Sequence, residues 1–159
     1  MRSLEQFLAD YGVSHQNHVN QWVHIVCVPA IFFATLGLFW LIPIGNWLGL
    51  SGQAAYWVNG ATVFGALSML VYLKLAVWVF AMMAAWFALS FWGVTAIYNA
   101  GLPLGWISLA IFVVAWIGQF IGHKIEGKKP SFLDDLVFLL IGPIFVSVEF
   151  AHKLGLKKS

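Results

Sequence analysis

"HQNHVNQWVHIVCVPAIFFATLGLFWLIPI", residues 15 to 44, decides how the rest of the chain is read. It opens on polar residues, with histidines at 15, 18 and 24, and is then apolar from Trp22 to Ile44. At about 1.5 Å per residue, a helix over that run covers the roughly 30 Å hydrocarbon core of a bilayer. Pro29 falls inside it and predicts a kink. The run follows a polar segment containing Glu5 and Asp10, is too long for a leader peptide and lacks a small-residue cleavage site. It is expected to stay in the membrane.

The composition extends this reading to the whole chain. Of 159 residues, 62% are hydrophobic and 9% charged, where a soluble domain carries about 25% charged residues. Too few polar side chains remain to cover a water-soluble globule, so the expected class is an all-α integral membrane protein. A net charge of +2 with few basic residues gives no footprint for nucleic acid. Cys27, the single cysteine, can form no internal disulfide and reads as a small apolar filler.

Four spans are predicted: Trp22–Ile44, Tyr56–Leu73, Leu75–Tyr98 and Leu104–Gly122. Tyr56 to Tyr98 is too long for one helix, and only Lys74 interrupts it. A lysine at mid-membrane costs about 2.5–3.5 kcal/mol, so the turn is placed near Lys74. A fifth apolar stretch, Phe132–Phe150, is broken by Asp134, Asp135, Gly142, Pro143 and Glu149. It reads as a re-entrant or interfacial helical hairpin. Arg2, Lys74, Lys124, Lys128, Lys129 and the C-terminal lysines then fall on one side, and "GNWLGLSGQAA" and "NAGLPLG" carry no charge. The positive-inside rule puts both chain ends in the cytoplasm. The expectation is one membrane domain: a cytoplasmic segment 1–21, a four-helix bundle 22–122, and a cytoplasmic-side loop with the hairpin, 123–159. All five histidines then lie at the cytoplasmic end.

Gln119, His123 and Glu126 are spaced i, i+4, i+7 and share a helix face, as do Asn20 with His24 and Glu149 with His152. His15 and His24 are on opposite faces of a continuous helix, so they meet only if the chain bends, and "QNHVN" is a place for that bend. Neutral imidazoles with one or two carboxylates and open positions suit Fe(II) or a similar ion. Asn20 and Gln119 are then candidates to hold the second ring nitrogens. The plain alternative is a set of interfacial polar residues bonded to backbone and headgroups, with His18 facing water. Glu149 fits a ligand, a base or a headgroup-facing carboxylate. Asp134 and Asp135 suit a helix N-terminus. The nine tryptophans suit interfacial anchoring or packing, with Trp116 also placed to line a lipid pocket. Glycines 60, 65 and 118 suit close helix packing. No P-loop, GxSxG, CxxC or HExxH motif is present.

"YGVSHQNHVNQWVHIVCVP" resembles the pattern Tyr-x3-His-x4-Asn-x3-His of the Mpo1-like family, and "GQFIGHKIEGKKPSF" with the terminal "GPIFVSVE" resembles its second block. Ser131 is a mild departure, where alanine is often expected. The resemblance spans essentially the whole chain and implies a multi-pass, Fe(II)-dependent dioxygenase. Its substrates would be a 2-hydroxy fatty acid and O2, and its product an acid one carbon shorter, the α-oxidation step. The matching positions are Tyr11, His15, Asn20, His24, Gln119, His123, Glu126, Pro130 and Glu149. The implied metal ligands are His15, His24 and His123, with Glu126 or Glu149 as a further ligand or base. Tyr11, Asn20 and Gln119 would support the cofactor. Lys124 or Lys128 would attract the substrate carboxylate from the membrane lipid. The location implied is a bacterial inner membrane or an endoplasmic reticulum membrane, the site facing the cytoplasm. The competing readings are another iron-dependent lipid oxidase or hydroxylase and a non-enzymatic lipid-binding or transport protein.

Overall fold

The structure is a computed structural model that describes residues 6, 9, 18–127, 143, 144, 146–148 and 150. All regular structure among these is helical. The main elements are α1 (His18–Trp40), α2 (Ile44–Trp47), α3 (Gly52–Trp57), α4 (Gly60–Leu75), α5 (Val77–Asn99) and α6 (Leu104–Glu126). The chain forms two compact units, residues 1–31 with 113–159 and residues 32–112. α1 and α6 each contribute to both.

Three helical stretches are long and apolar enough to cross a membrane, namely α1 with its apolar continuation to Trp47, α5 and α6. α1 begins four residues before the expected Trp22, so His18 and Asn20 are helical. The second half of "QNHVN" is therefore helix, and no bend falls between His18 and His24. Pro29 lies inside α1 without ending it. The helix ends at Trp40, short of Ile44. Its last turn tightens through Leu41 N–H to the Leu38 carbonyl (3.2 Å) and Ile42 N–H to the Phe39 carbonyl (3.0 Å). Pro43 then disfavours continuation, because it has no N–H and steers Ile42 away from helical angles.

The expected second span is corrected. Tyr56 belongs to the short α3, and α4 starts afresh at Gly60. Asn59 causes the break. Its backbone is extended (φ −144°, ψ 179°), its side chain accepts from Ala61 N–H and Thr62 N–H, and its own N–H donates to Thr62 Oγ1. This reciprocal cap fixes a helix start. The 16 residues of α4 rise about 24 Å, less than a bilayer core. The boundary near Lys74 stands. Lys74 is in the last turn of α4, and Ala76, extended at φ −173°, both ends α4 and begins α5. α4 packs along α5, with Gly65 giving room to the Phe87 ring. Phe87 in turn meets Phe32 at a 5.0 Å ring separation.

α6 runs one turn beyond the expected Gly122, through Glu126. It stops at Gly127, whose φ of +80° is the left-handed geometry that glycine adopts without strain. Gly127 N–H closes the helix on the His123 carbonyl at 3.0 Å. Of the expected hairpin, residues 143, 144, 146–148 and 150 are helical. The rest of it lies outside the described residues.

Candidate functional site

In the unit formed by residues 1–31 and 113–159, α1 and α6 each turn a polar patch inward. On α1, Asn20 and His24 continue the buried face of Val28 and Ile31; on α6, Gln119 and His123 continue that of Ala115. The i, i+4 and i, i+3 spacings put each set on one side of its helix. Asn20 is 0% exposed, His24 3%, Gln119 7% and His123 5%. Buried polar groups at this depth demand partners, since each one left unmade costs about 1–3 kcal/mol.

The two imidazoles meet. Their ring centroids are 5.6 Å apart and the rings are perpendicular. His24 Nδ1 is 2.9 Å from the Asn20 main-chain carbonyl. A carbonyl only accepts, so Nδ1 carries the proton and the lone pair is left on Nε2. An ion about 2 Å from one nitrogen of each ring sits roughly 3 Å from each ring centre, and a 5.6 Å separation fits a shared ion. The carbonyl lock on His24 is the outer-shell arrangement usual for ligating histidines.

Asn20 was expected to steady His24 with its side chain. It does so with its main chain, while its side-chain Nδ2 crosses to α6 and donates to Glu126 Oε1 at 3.1 Å. The Gln119 side chain makes no hydrogen bond among the described residues, and its Oε1 is fully buried. Among the described residues no three histidine, cysteine or acidic side chains form a metal-type group. Glu126 therefore does not join the two imidazoles as a third donor here. Tyr11, His15, Pro130 and Glu149 lie outside the described residues, as does Lys128. Lys124 is exposed beside His123 in the last turn of α6, and His18 is exposed at the start of α1.

Close helix approach makes the pairing possible. A Cβ at Gly122 would collide with Asn20 Oδ1 and lie 3.3 Å from Val23 Cγ1, and a Cβ at Gly118 would lie 2.7 Å from Cys27 Sγ. Gly118 and Gly122 form a small-x3-small step on α6. Gly118 was singled out from sequence, but Gly122 was not. Its signal, a second glycine one turn on, was there to read.

The described residues define an all-helical protein with helices long and apolar enough to cross a membrane, two of which hold a buried, perpendicular histidine pair. Residues 1–154 match the family described as 2-hydroxy-palmitic acid dioxygenase Mpo1-like, and the chain belongs to that family. It is 27% identical over 154 residues to the 2-hydroxy-palmitic acid dioxygenase MPO1 of Saccharomyces cerevisiae, covering 96% of this chain and 82% of the relative. No solved structure matches.

Proposed function

We propose that the chain is an Fe(II)-dependent dioxygenase that converts a 2-hydroxy fatty acid and O2 into a fatty acid one carbon shorter, carbon dioxide and water. The overall change balances without an outside reductant. The bond between C1 and C2 breaks, C2 passes from alcohol to carboxylic acid, C1 leaves as carbon dioxide, and O2 takes up the four electrons released. The buried His24–His123 pair, in a chain of this family, carries the reading.

His24 and His123 would hold the iron, with His15 and Glu149 completing the set. When bound, the metal supplies the redox chemistry that lets O2 react with the hydroxy acid and polarises both reactants. The protein residues do the rest. The Asn20 carbonyl fixes the His24 tautomer and ring. Asn20 Nδ2 anchors Glu126 Oε1, and the carboxylate positioned in this way takes the proton of the 2-hydroxyl. Lys124, exposed at the end of α6, attracts the substrate carboxylate. The buried position of the pair keeps bulk water from the reacting carbon. The site would face the cytoplasm, and the apolar flanks of α1 and α6 would leave the acyl tail in lipid.

The test is product analysis. The purified chain, given Fe(II), O2 and 2-hydroxypalmitic acid, is expected to release the acid one carbon shorter. Recovery of unchanged substrate, or of a hydroxylated or desaturated acid of the same length, would contradict the proposal.

A further inference from the structure

The unit of residues 32–112 holds a cavity of about 390 Å³ that the histidine site does not use. Trp40, Tyr56 and Tyr98 line it, with Asn46 and Asn59 among the polar liners. The Trp40 and Tyr56 ring centroids are 5.3 Å apart at 76°, those of Trp40 and Tyr98 6.4 Å at 58°, and those of Tyr56 and Tyr98 6.0 Å at 60°. Three rings inclined to one another in this way form a corner, not a stack. A point above that corner lies within about 6 Å of all three centres, the range over which ring faces attract a cation.

The charge around the cavity narrows the ligand. Lys74 is the only charged residue between 32 and 112. It stands near the end of α4, about 20 Å along the helix from Gly60. With no carboxylate in the unit, a compact, strongly hydrated ammonium or metal ion would lose its water without compensation. A quaternary ammonium is weakly hydrated, and its methyl groups fit aromatic walls. Two other polar liners are already engaged. Asn59 spends its side chain on the α4 cap and on the Tyr56 carbonyl, and the Tyr56 hydroxyl donates to Asn99 Oδ1 at 3.1 Å. The Tyr98 hydroxyl and the Asn46 amide make no side-chain hydrogen bond among the described residues, which leaves both as donors to an anionic oxygen. Trp47 and Trp57, next in sequence to the lining residues Asn46 and Tyr56, are 70% and 46% exposed, as expected of rings at headgroup level.

We propose that this cavity binds the choline headgroup of a zwitterionic phospholipid. The rings of Trp40, Tyr56 and Tyr98 meet the quaternary ammonium, and the Tyr98 hydroxyl and Asn46 meet the phosphate. The site is separate from the histidine pair and does not depend on the dioxygenase reading.

The full chain in maltoside micelles is titrated with dioctanoyl phosphatidylcholine and, in parallel, with dioctanoyl phosphatidylglycerol, followed by tryptophan emission. The choline lipid is expected to bind at least about tenfold tighter and to be displaced by tetramethylammonium. Tyr98→Leu should weaken it about tenfold, the loss of one partly desolvated ring contact. Tyr98→Phe should keep most of the affinity, and Trp92→Leu, at a 75% exposed position outside the cavity, should keep all of it. Equal binding of the two lipids, no displacement by tetramethylammonium, or unchanged choline-lipid affinity in Tyr98→Leu would each overturn the proposal. The first two readouts need no variant, so a poorly folded Tyr98→Leu protein leaves the test intact.

Discussion

Gly122→Ala tests the helix contact on which the histidine pair depends. The added Cβ would collide with Asn20 Oδ1. Asn20 is 0% exposed, so its amide has no open side to turn toward. Two responses are available. The amide can rotate and give up its 3.1 Å bond to Glu126, at about 1.5–3 kcal/mol for a bond to a charged group. Alternatively, α1 and α6 can part locally, at about 1–3 kcal/mol for an overpacked contact. The cheaper response sets the cost, so Gly122→Ala should destabilise the chain by about 1–3 kcal/mol. The assay is reversible denaturation in detergent, run as a double-mutant cycle with Asn20→Ala. Removing the obstructing amide should cancel most of the Gly122→Ala penalty, a coupling of about 1–2 kcal/mol. If Gly122→Ala costs the same in both backgrounds, or nothing in either, the close contact described above is not present.

Asn59→Ala should cost about 1–2 kcal/mol by removing the α4 cap, read as a lower denaturation midpoint, while Asn59→Asp should retain most of the stability. Gly127→Ala places a side chain at φ +80° and should cost about 1 kcal/mol, measured the same way. Glu126→Gln keeps a carbonyl oxygen for Asn20 Nδ2 but removes the carboxylate, so turnover of 2-hydroxypalmitic acid should fall well before stability does. Equal losses in both would point to a purely structural Glu126.

The features legible in the sequence were those set by local pattern. Lys74 marked the joint between α4 and α5, because a lone cation in a long apolar run has one inexpensive place to sit. The i, i+4 spacing of Asn20 with His24 and of Gln119 with His123 put each pair on one face, and the structure brings His24 and His123 together. The misses came where a single side chain or a distant contact decided the outcome. Hydropathy runs smoothly from Tyr56 through Asn59, and only the Asn-x2-Thr pattern of Asn59 and Thr62 announced the new helix start. The polar "HVNQ" at 18–21 was placed in the segment before the first span, yet it belongs to the same helix, and its Asn20 is buried against α6. That the Asn20 amide would reach Glu126 on α6 depends on the Gly118–Gly122 approach, which no single helix reveals. The aromatic corner of Trp40, Tyr56 and Tyr98 draws on three separate segments, and nothing in their spacing foretold it.

The most direct test is the iron content of the full chain, purified anaerobically without chelators and reloaded with Fe(II), beside a His24→Ala/His123→Ala variant shown to fold. Stoichiometric iron is expected in the wild type, with its loss in the variant. Iron retained by the variant, or a wild type that takes up none after reloading, would contradict a metal site built on this histidine pair.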